Sequence, residues 1–293
     1  MKYSFIARQK KAFSVDMMCQ LLGVTRSGFY SHQQREKTKL DNSEHEELLY
    51  WVKKIAASSR FTYGTRRIKK ALNAMGYPLG RRKARALMQK AQVFVRYRKK
   101  YKITTNSDHR KPVFENVLNR QFQAMKPDRA YVSDITYIWT HEGWLYLTVI
   151  IDLFSRKVVG WDMSSRMRAD TVCNALTMAT WRRKPKAGLI VHSDRGSQYA
   201  SNQYRSLLDK HHFVGSMSKK GDCWDNSVAE SFFARQREKR VHWCNYQTRQ
   251  EAKQDILNYI TMFYNSQRLH SSLGYMSPNQ FENRYWDLIK KVA

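Results

Sequence analysis

The stretch AYVSDITYIWTHEGWLYLTVIID, residues 130–152, decides the fold. Residues 131–139 and 144–151 are rich in β-branched and aromatic side chains, and only Thr140-His141-Glu142-Gly143 separates them. A third run of the same kind, 157–163, follows Asp152-Leu153-Phe154-Ser155-Arg156. Joins this short predict an antiparallel meander. Alternation places Val132, Asp134, Thr136 and Ile138 on one face of the first run, so a carboxylate stands in an otherwise apolar row. An unpaired buried carboxylate is costly, and a metal ion is a common way to compensate it.

Working downstream, the pattern predicts a helix over 169–182, a strand over 188–192, a helix over 201–211, a short strand over 213–217 and a helix from 226 to about 240. The order βββαβαβα suggests a mixed sheet covered by helices. A last long helix, 249–265, precedes the tail. Asp194 stands just beyond the fourth strand, where open α/β sheets place ligands. Glu230 lies inside the 226–240 helix, on one stripe with Asn226, Phe233 and Arg237. Three carboxylates on three elements can converge, although spacing alone is weak support in a chain with 24 acids among 293 residues.

Upstream, the charge dominates. The chain has 53 Lys or Arg against 24 Asp or Glu, a net +29, and residues 1–130 carry +21 of it. No acid occurs between Glu47 and Asp108, yet that stretch holds 17 basic residues. A one-sign block of this density calls for a polyanionic partner, and nucleic acid is the commonest. Val15, Met18, Leu21 and Leu22 form a stripe before Gly23, the outline of two short helices about a tight turn, which suits a helix-turn-helix or a structural hairpin equally. After a helix over 43–57, Thr65 is a candidate N-cap for a basic helix whose Ile68, Leu72 and Met75 share a face. A second basic helix, 81–91, carries Leu87 and Met88. Arg66, Arg67, Arg81, Arg82 and Lys83 are the candidate DNA contacts. Residues 101–127 are polar and read as a linker.

Other classes are excluded or disfavoured. The longest apolar run, 144–151, is too short for a bilayer, and the N-terminus lacks a signal-peptide stretch. Cys19, Cys173, Cys223 and Cys244 form no C-x-x-C pair, which speaks for a reduced compartment. A zinc set of His211, His212, Cys223, His242 and Cys244 lacks finger spacing. Asp152 reads as a turn residue, Asp225 or Asn226 as a helix cap rather than a ligand, and Trp224 as either a stacking or a core residue.

The residues around the acids carry a resemblance. Ser133-Asp134-Ile135-Thr136-Tyr137, the run from Val149 to Arg156, His192-Ser193-Asp194-Arg195-Gly196-Ser197-Gln198-Tyr199 and Trp224-Asp225-Asn226-Ser227-Val228-Ala229-Glu230-Ser231-Phe232-Phe233 resemble the DDE integrase core of bacterial insertion-sequence transposases. The 35 residues between Asp194 and Glu230 match that family's pattern. So do the run from Asn265 to Pro278 and, near the start, Met18 to Val24, Ser27 to Tyr30 and Tyr63 to Ile68. The likeness covers almost the whole chain and is to the OrfB-type product of the family whose two frames are joined by programmed frameshifting. Two departures stand out: Tyr131 where the family often has Trp, and Gln236-Arg237 where it commonly has Leu-Lys. Arg237 keeps a cation for phosphate contact, with different donor geometry.

The resemblance implies an RNase H-like core, a mixed five-stranded sheet with flanking helices, behind an all-helical basic region. It implies that Asp134, Asp194 and Glu230 hold two Mg²⁺ ions, replaceable by Mn²⁺, for DNA strand cleavage and transfer at element ends. Its partners would be end and target DNA, an upstream-frame OrfA-type protein or fusion, and further copies of the chain on DNA, in a bacterial, nucleoid-associated cytoplasmic setting. The expected map is 1–40 helix-turn-helix-like, 41–100 basic helical, 101–127 linker, 128–245 catalytic core and 246–293 helix and tail. Rival readings are a non-catalytic DNA-binding regulator, which would lack a carboxylate, and a nuclease that cuts without joining. A tyrosine-recombinase set of Arg268, His270 and Tyr275 fits the family's tail better than a nucleophile.

Overall fold

The computed structural model describes residues 2–40, 42–95, 112–219, 223–236 and 245–292. The chain forms two compact units, Met1–Val95 and Arg96–Ala293. No helix among the described residues is long and apolar enough to cross a membrane.

The first unit is all helical: α1 Lys2–Gln9, α2 Val15–Leu21, α3 Arg26–Leu40, α4 Asn42–Ser58, α5 Thr65–Ala74 and α6 Arg81–Lys90. Ile6, Met18, Cys19 and Phe29 bury one core, with Val15 and Leu22 against it. The expected stripe needs correction here, because Leu21 is 78% exposed. At 100° per residue it lies 240° round from Val15, whereas Cys19 falls on the buried side. In α5, Ile68 and Leu72 are buried as read. Met75 is the C-cap and is 40% exposed, and the N-cap is Gly64, with Thr65 the first helical residue. Leu87 and Met88 of α6 are buried, which leaves the basic side chains to solvent.

The second unit is built on β1 Ala130–Thr140, β2 Gly143–Asp152, β3 Val158–Ser164, β4 Ile190–Ser193 and β5 Val214–Met217. The sheet order is β3-β2-β1-β4-β5. The predicted meander is present: β1–β2 and β2–β3 are antiparallel, while β1–β4 and β4–β5 are parallel. Helices α7 Ala169–Arg183 and α8 Asn202–Lys210 bury one face around Tyr131, Ile150 and Val191. The other face, with Val132, Ile138, Leu147 and Val149, is covered by α9 Ser227–Gln236 and α10 Arg249–Asn258. This is the RNase H-like arrangement of a mixed five-stranded sheet with helices on both faces.

Two segments read as peripheral belong to this unit's core. Residues 112–127 run along the sheet edge, with Leu118 3% exposed and its N–H given to Ser216 Oγ at 3.1 Å. The Phe114 ring lies against Gly215, where any Cβ would stand 2.8 Å from it. Only residues 101–111 of the expected linker remain, and they lie outside the described residues. At the other end, α10 continues as π-helical turns Tyr259–Tyr264, and both contribute to the main core. Helix α11 Pro278–Val292 is held to the core by Glu282, which is ion-paired with Arg183 and with Lys157. In residues 112–127 polarity hides the anchors, because one buried Leu or Phe among many polar residues makes no periodic signal.

If the 112–127 segment is part of the core, Leu118→Ala should destabilise the second unit by about 2–3 kcal/mol. Urea unfolding of the full chain, followed by tryptophan fluorescence, checks this. A change below about 0.5 kcal/mol, the usual size for a surface site, would make the segment a linker after all.

Candidate active site

Asp134 stands in the row that alternation assigns to it, between the fully buried Val132 and Thr136 on the α9 face of β1, and is itself half-buried. Its Oδ1 accepts the Ile135 N–H at 2.8 Å. The parallel pairing of β1 and β4 runs Ala130↔Ile190, Tyr131↔Val191, Val132↔His192. The ladder ends there, two residues before Asp134 on β1 and two before Asp194 on the chain leaving β4. Asp194 opens the turn after β4, where its Oδ1 accepts the Gly196 N–H at 2.9 Å. A Cβ on Gly196 would stand 3.0 Å from that oxygen, so a side chain there would press on the Asp194 carboxylate. Both carboxylates act on the Tyr199 phenol: burial first, then Asp194 and Asp134, hold its pKa well above the ordinary value.

Glu230 is exposed, in the first turn of α9, where a carboxylate suits the positive end of the helix. The sequence reading started that helix at Asn226, but Asn226 closes a 3-10 turn, Cys223–Asn226, just before it. From there its Nδ2 donates to the Ser133 carbonyl at 3.1 Å. One helical turn further along is Glu230, on a helix packed against β1. Phe233, on the expected stripe, is buried, while Arg237 lies outside the described residues.

Asp134 and Asp194 thus both lie near the Tyr199 phenol, while Glu230 stands exposed in the first turn of α9. Among the described residues no group of three or more His, Cys, Asp or Glu is gathered closely enough to hold a metal ion. The donor chemistry nevertheless suits a hard divalent cation, since all three groups are carboxylates. Among the described residues the buried Oδ1 of Asn226 has no hydrogen-bond partner, an acceptor that a hydrated cation would satisfy.

Beneath the site lies a polar foundation that sequence reasoning missed. Asp225 is buried, and its carboxylate takes the Asn116 amide at 2.8 Å, Arg120 Nε at 2.7 Å and the Lys219 N–H at 2.9 Å. Burial works to raise its pKa, but these donors and Arg120 together hold it below the usual range. The fully buried His192 ring meets Ser216 Oγ at 2.8 Å and Ser218 Oγ at 3.2 Å. Burial lowers its pKa to about 4, against a smaller upward pull from Asp225. Only the presence of His192 and Asp225 within the quoted motifs signalled them.

Asp152 is the turn residue the sequence suggested. Its Oδ2 accepts from the Ser155 N–H and hydroxyl, and its Oδ1 from the Asp128 N–H. His270 packs on Tyr264 at 5.0 Å and bridges back to Met276, and Arg268 is 1% exposed, so these residues build the tail loop. Of the imagined zinc set, His242 and Cys244 lie outside the described residues, and His211 stacks on Phe213. In the first unit Arg66, Arg81, Arg82 and Lys83 are exposed on α5 and α6, whereas half-buried Arg67 lies over the Tyr63 ring at 5.7 Å.

The chain is similar to known proteins over most of its length. Residues 124–223 and 230–285 match models of the integrase core domain, and 43–101 matches an HTH-like domain. The chain is 40% identical over 287 residues to the transposase InsF of insertion sequence IS3A from Escherichia coli (strain K12), covering 97% of this chain and 99% of that one. It is also 40% identical over 268 residues to the 31 kDa protein of insertion element IS600 from Shigella sonnei, covering 92% and 98%. Among solved structures, the HTLV-2 integrase catalytic core domain in complex with magnesium is similar at TM-score 0.42 and 16% identity, covering 55% of this chain and 99% of that one. A simian T-cell lymphotropic virus intasome is similar at TM-score 0.45 and 13% identity, covering 73% and 70%.

His192 and Asp152 oppose each other in acid. His192 is held neutral, so its contribution is full above 6.5 and is lost as pH falls towards about 4. Burial raises the Asp152 carboxyl to about 6, so its contribution is full below 3.8 and is lost as pH rises through about 6. Between pH 6 and 4, His192→Gln should therefore gain stability on acidification and Asp152→Asn should lose it, each by on the order of 2–3 kcal/mol. Urea midpoints at pH 4, 5, 6 and 7 read both slopes, and parallel curves for the two variants would refute the assignment.

Proposed function

This chain belongs to the IS3 family of insertion-sequence transposases, polynucleotidyl transferases that cut and join DNA strands, and on that premise we propose that Asp134, Asp194 and Glu230 form its catalytic centre. The observation that supports the reading is that Asp134 and Asp194, at the end of the β1–β4 ladder, act on the same Tyr199 phenol, and the helix of Glu230 is tied to β1 through Asn226. The carboxylates would hold two Mg²⁺ ions, or Mn²⁺, which supply Lewis acidity to the attacking and departing oxygens of an in-line displacement at phosphorus.

The chain's own part is to bind, orient and shield. Asp194 is kept from turning away by the Gly196 N–H, and Asp134 by the Ile135 N–H. Val132, Thr136 and Ile138 exclude water from beneath the site. Water, or a DNA 3′-OH, is the nucleophile, so no side chain needs to form a covalent intermediate. The exposed bases of α5 and α6, Arg66, Arg81, Arg82 and Lys83, with Arg67, grip DNA phosphates in this reading, and Arg237 supplies a cation seven residues after Glu230 in the sequence. An upstream-frame protein or fusion and further copies of the chain would complete the assembly on element ends.

Asp134→Asn, Asp194→Asn and Glu230→Gln should each reduce cleavage and joining of labelled element ends by on the order of 10³-fold or more, because ligands acting as a unit fail together. DNA affinity should stay near that of the wild type. Mg²⁺-dependent cleavage retained in any one variant would remove that residue from the centre.

The DNA-binding part is read by salt. If the first unit meets several phosphates, affinity falls with a log-log slope of about −0.9 per phosphate, and Arg66→Ala/Arg67→Ala flattens that slope by up to about two units. An unchanged slope in the double variant would move DNA contact away from α5.

A further inference from the structure

Resting on the reading of the three carboxylates as the catalytic centre, we propose that Ser133 is the positioning residue that joins their three separate elements into one site. Asp134 is on β1, Asp194 in the turn after β4 and Glu230 on α9. Three negative groups repel one another, and nothing in apolar packing fixes their distance to a fraction of an ångström. Directional bonds can do so.

Ser133 makes one such bond in each direction. Its Oγ lies 2.8 Å from the Tyr199 Oη, and both residues are fully buried. Tyr199 belongs to the turn that carries Asp194: its N–H donates to the Gly196 carbonyl at 3.0 Å, while the Gly196 N–H holds the Asp194 carboxylate. On the other side the Ser133 carbonyl accepts from Asn226 Nδ2, and Asn226 leads directly into the helix of Glu230. The carbonyl is open to a side chain because pairing with β4 ends at Val132↔His192.

A purely structural role would be served as well by an apolar pair at 133 and 199. Burying a hydroxyl and a phenol in the field of two carboxylates is unfavourable unless the bond between them is used. Tyr199 sits in that field, since Asp194 and Asp134 both act on its phenol. The bond therefore lies where it can set the separation of the two aspartates.

Three variants of the full chain test this: Ser133→Ala, Tyr199→Phe and their combination. Binding of Mn²⁺ alone is measured by electron paramagnetic resonance, the Mg²⁺ concentration for half-maximal cleavage on labelled ends, and stability by urea without metal. The expected result is Mn²⁺ binding weaker by about tenfold, the scale of a group that orients ligands, with the same rise in half-maximal Mg²⁺. High Mg²⁺ should recover most of the maximal rate. The combined variant should be no weaker than either single one, because both remove the same bond. Tyr199→Phe keeps the ring, so it decides the matter if Ser133→Ala does not fold. Mn²⁺ affinity within twofold of the wild type in Tyr199→Phe overturns the proposal, whatever happens to stability. Asp134→Asn is the separate control: if it binds Mn²⁺ normally, the catalytic reading fails rather than the role of Ser133.

Discussion

The structure of the second unit depends on β1 being paired along both edges, antiparallel to β2 for its whole length and parallel to β4 for only a few residues. Where the parallel ladder stops, one edge of β1 becomes available to side chains, and that is where Asp134, Ser133 and the Asn226 amide meet. A longer β4 would have consumed those backbone groups, and the site would have no opening. Termination of one short strand thus creates both the position for Asp194 and the anchor point for α9.

Around that opening, buried polar groups bonded to one another add to the apolar packing of both sheet faces. Asp225 takes three donors from three segments, including the 112–127 stretch that reads as linker. A carboxylate satisfied so fully costs little to bury and rigidifies what it touches. His192 and its two serines do the same between β4 and β5 without a net charge. The acid response of the unit is then a balance of opposed terms, since Asp152 is buried at its cost in the ionised form and His192 in the protonated form.

The two units divide the work of handling a polyanion. The first concentrates exposed cations on short helices whose apolar faces are spent on one another, so it can meet phosphate without giving up its own core. The second, in the reading proposed for it, presents carboxylates that would repel phosphate without a bound cation.

The sequence by itself determined the meander, the order of strands and helices and the face on which Asp134 lies, because alternation with period two and short turns are local properties of the chain. It also determined the family, through motifs that cover almost its whole length, and with it the transposase activity. The tertiary structure decided what those local rules cannot reach. That Leu21 and Met75 point to solvent follows from where short helices begin and end, and that Gly64 rather than Thr65 caps α5 follows from a one-residue shift. That residues 112–127 belong to the core depends on Leu118 and Phe114 finding partners about a hundred residues away, as does the pairing of Asp225 with Asn116 and Arg120. Contacts at such separation leave no period in the sequence, so only the folded chain reveals that Ser133, Tyr199 and Asn226 stand together beside the carboxylates.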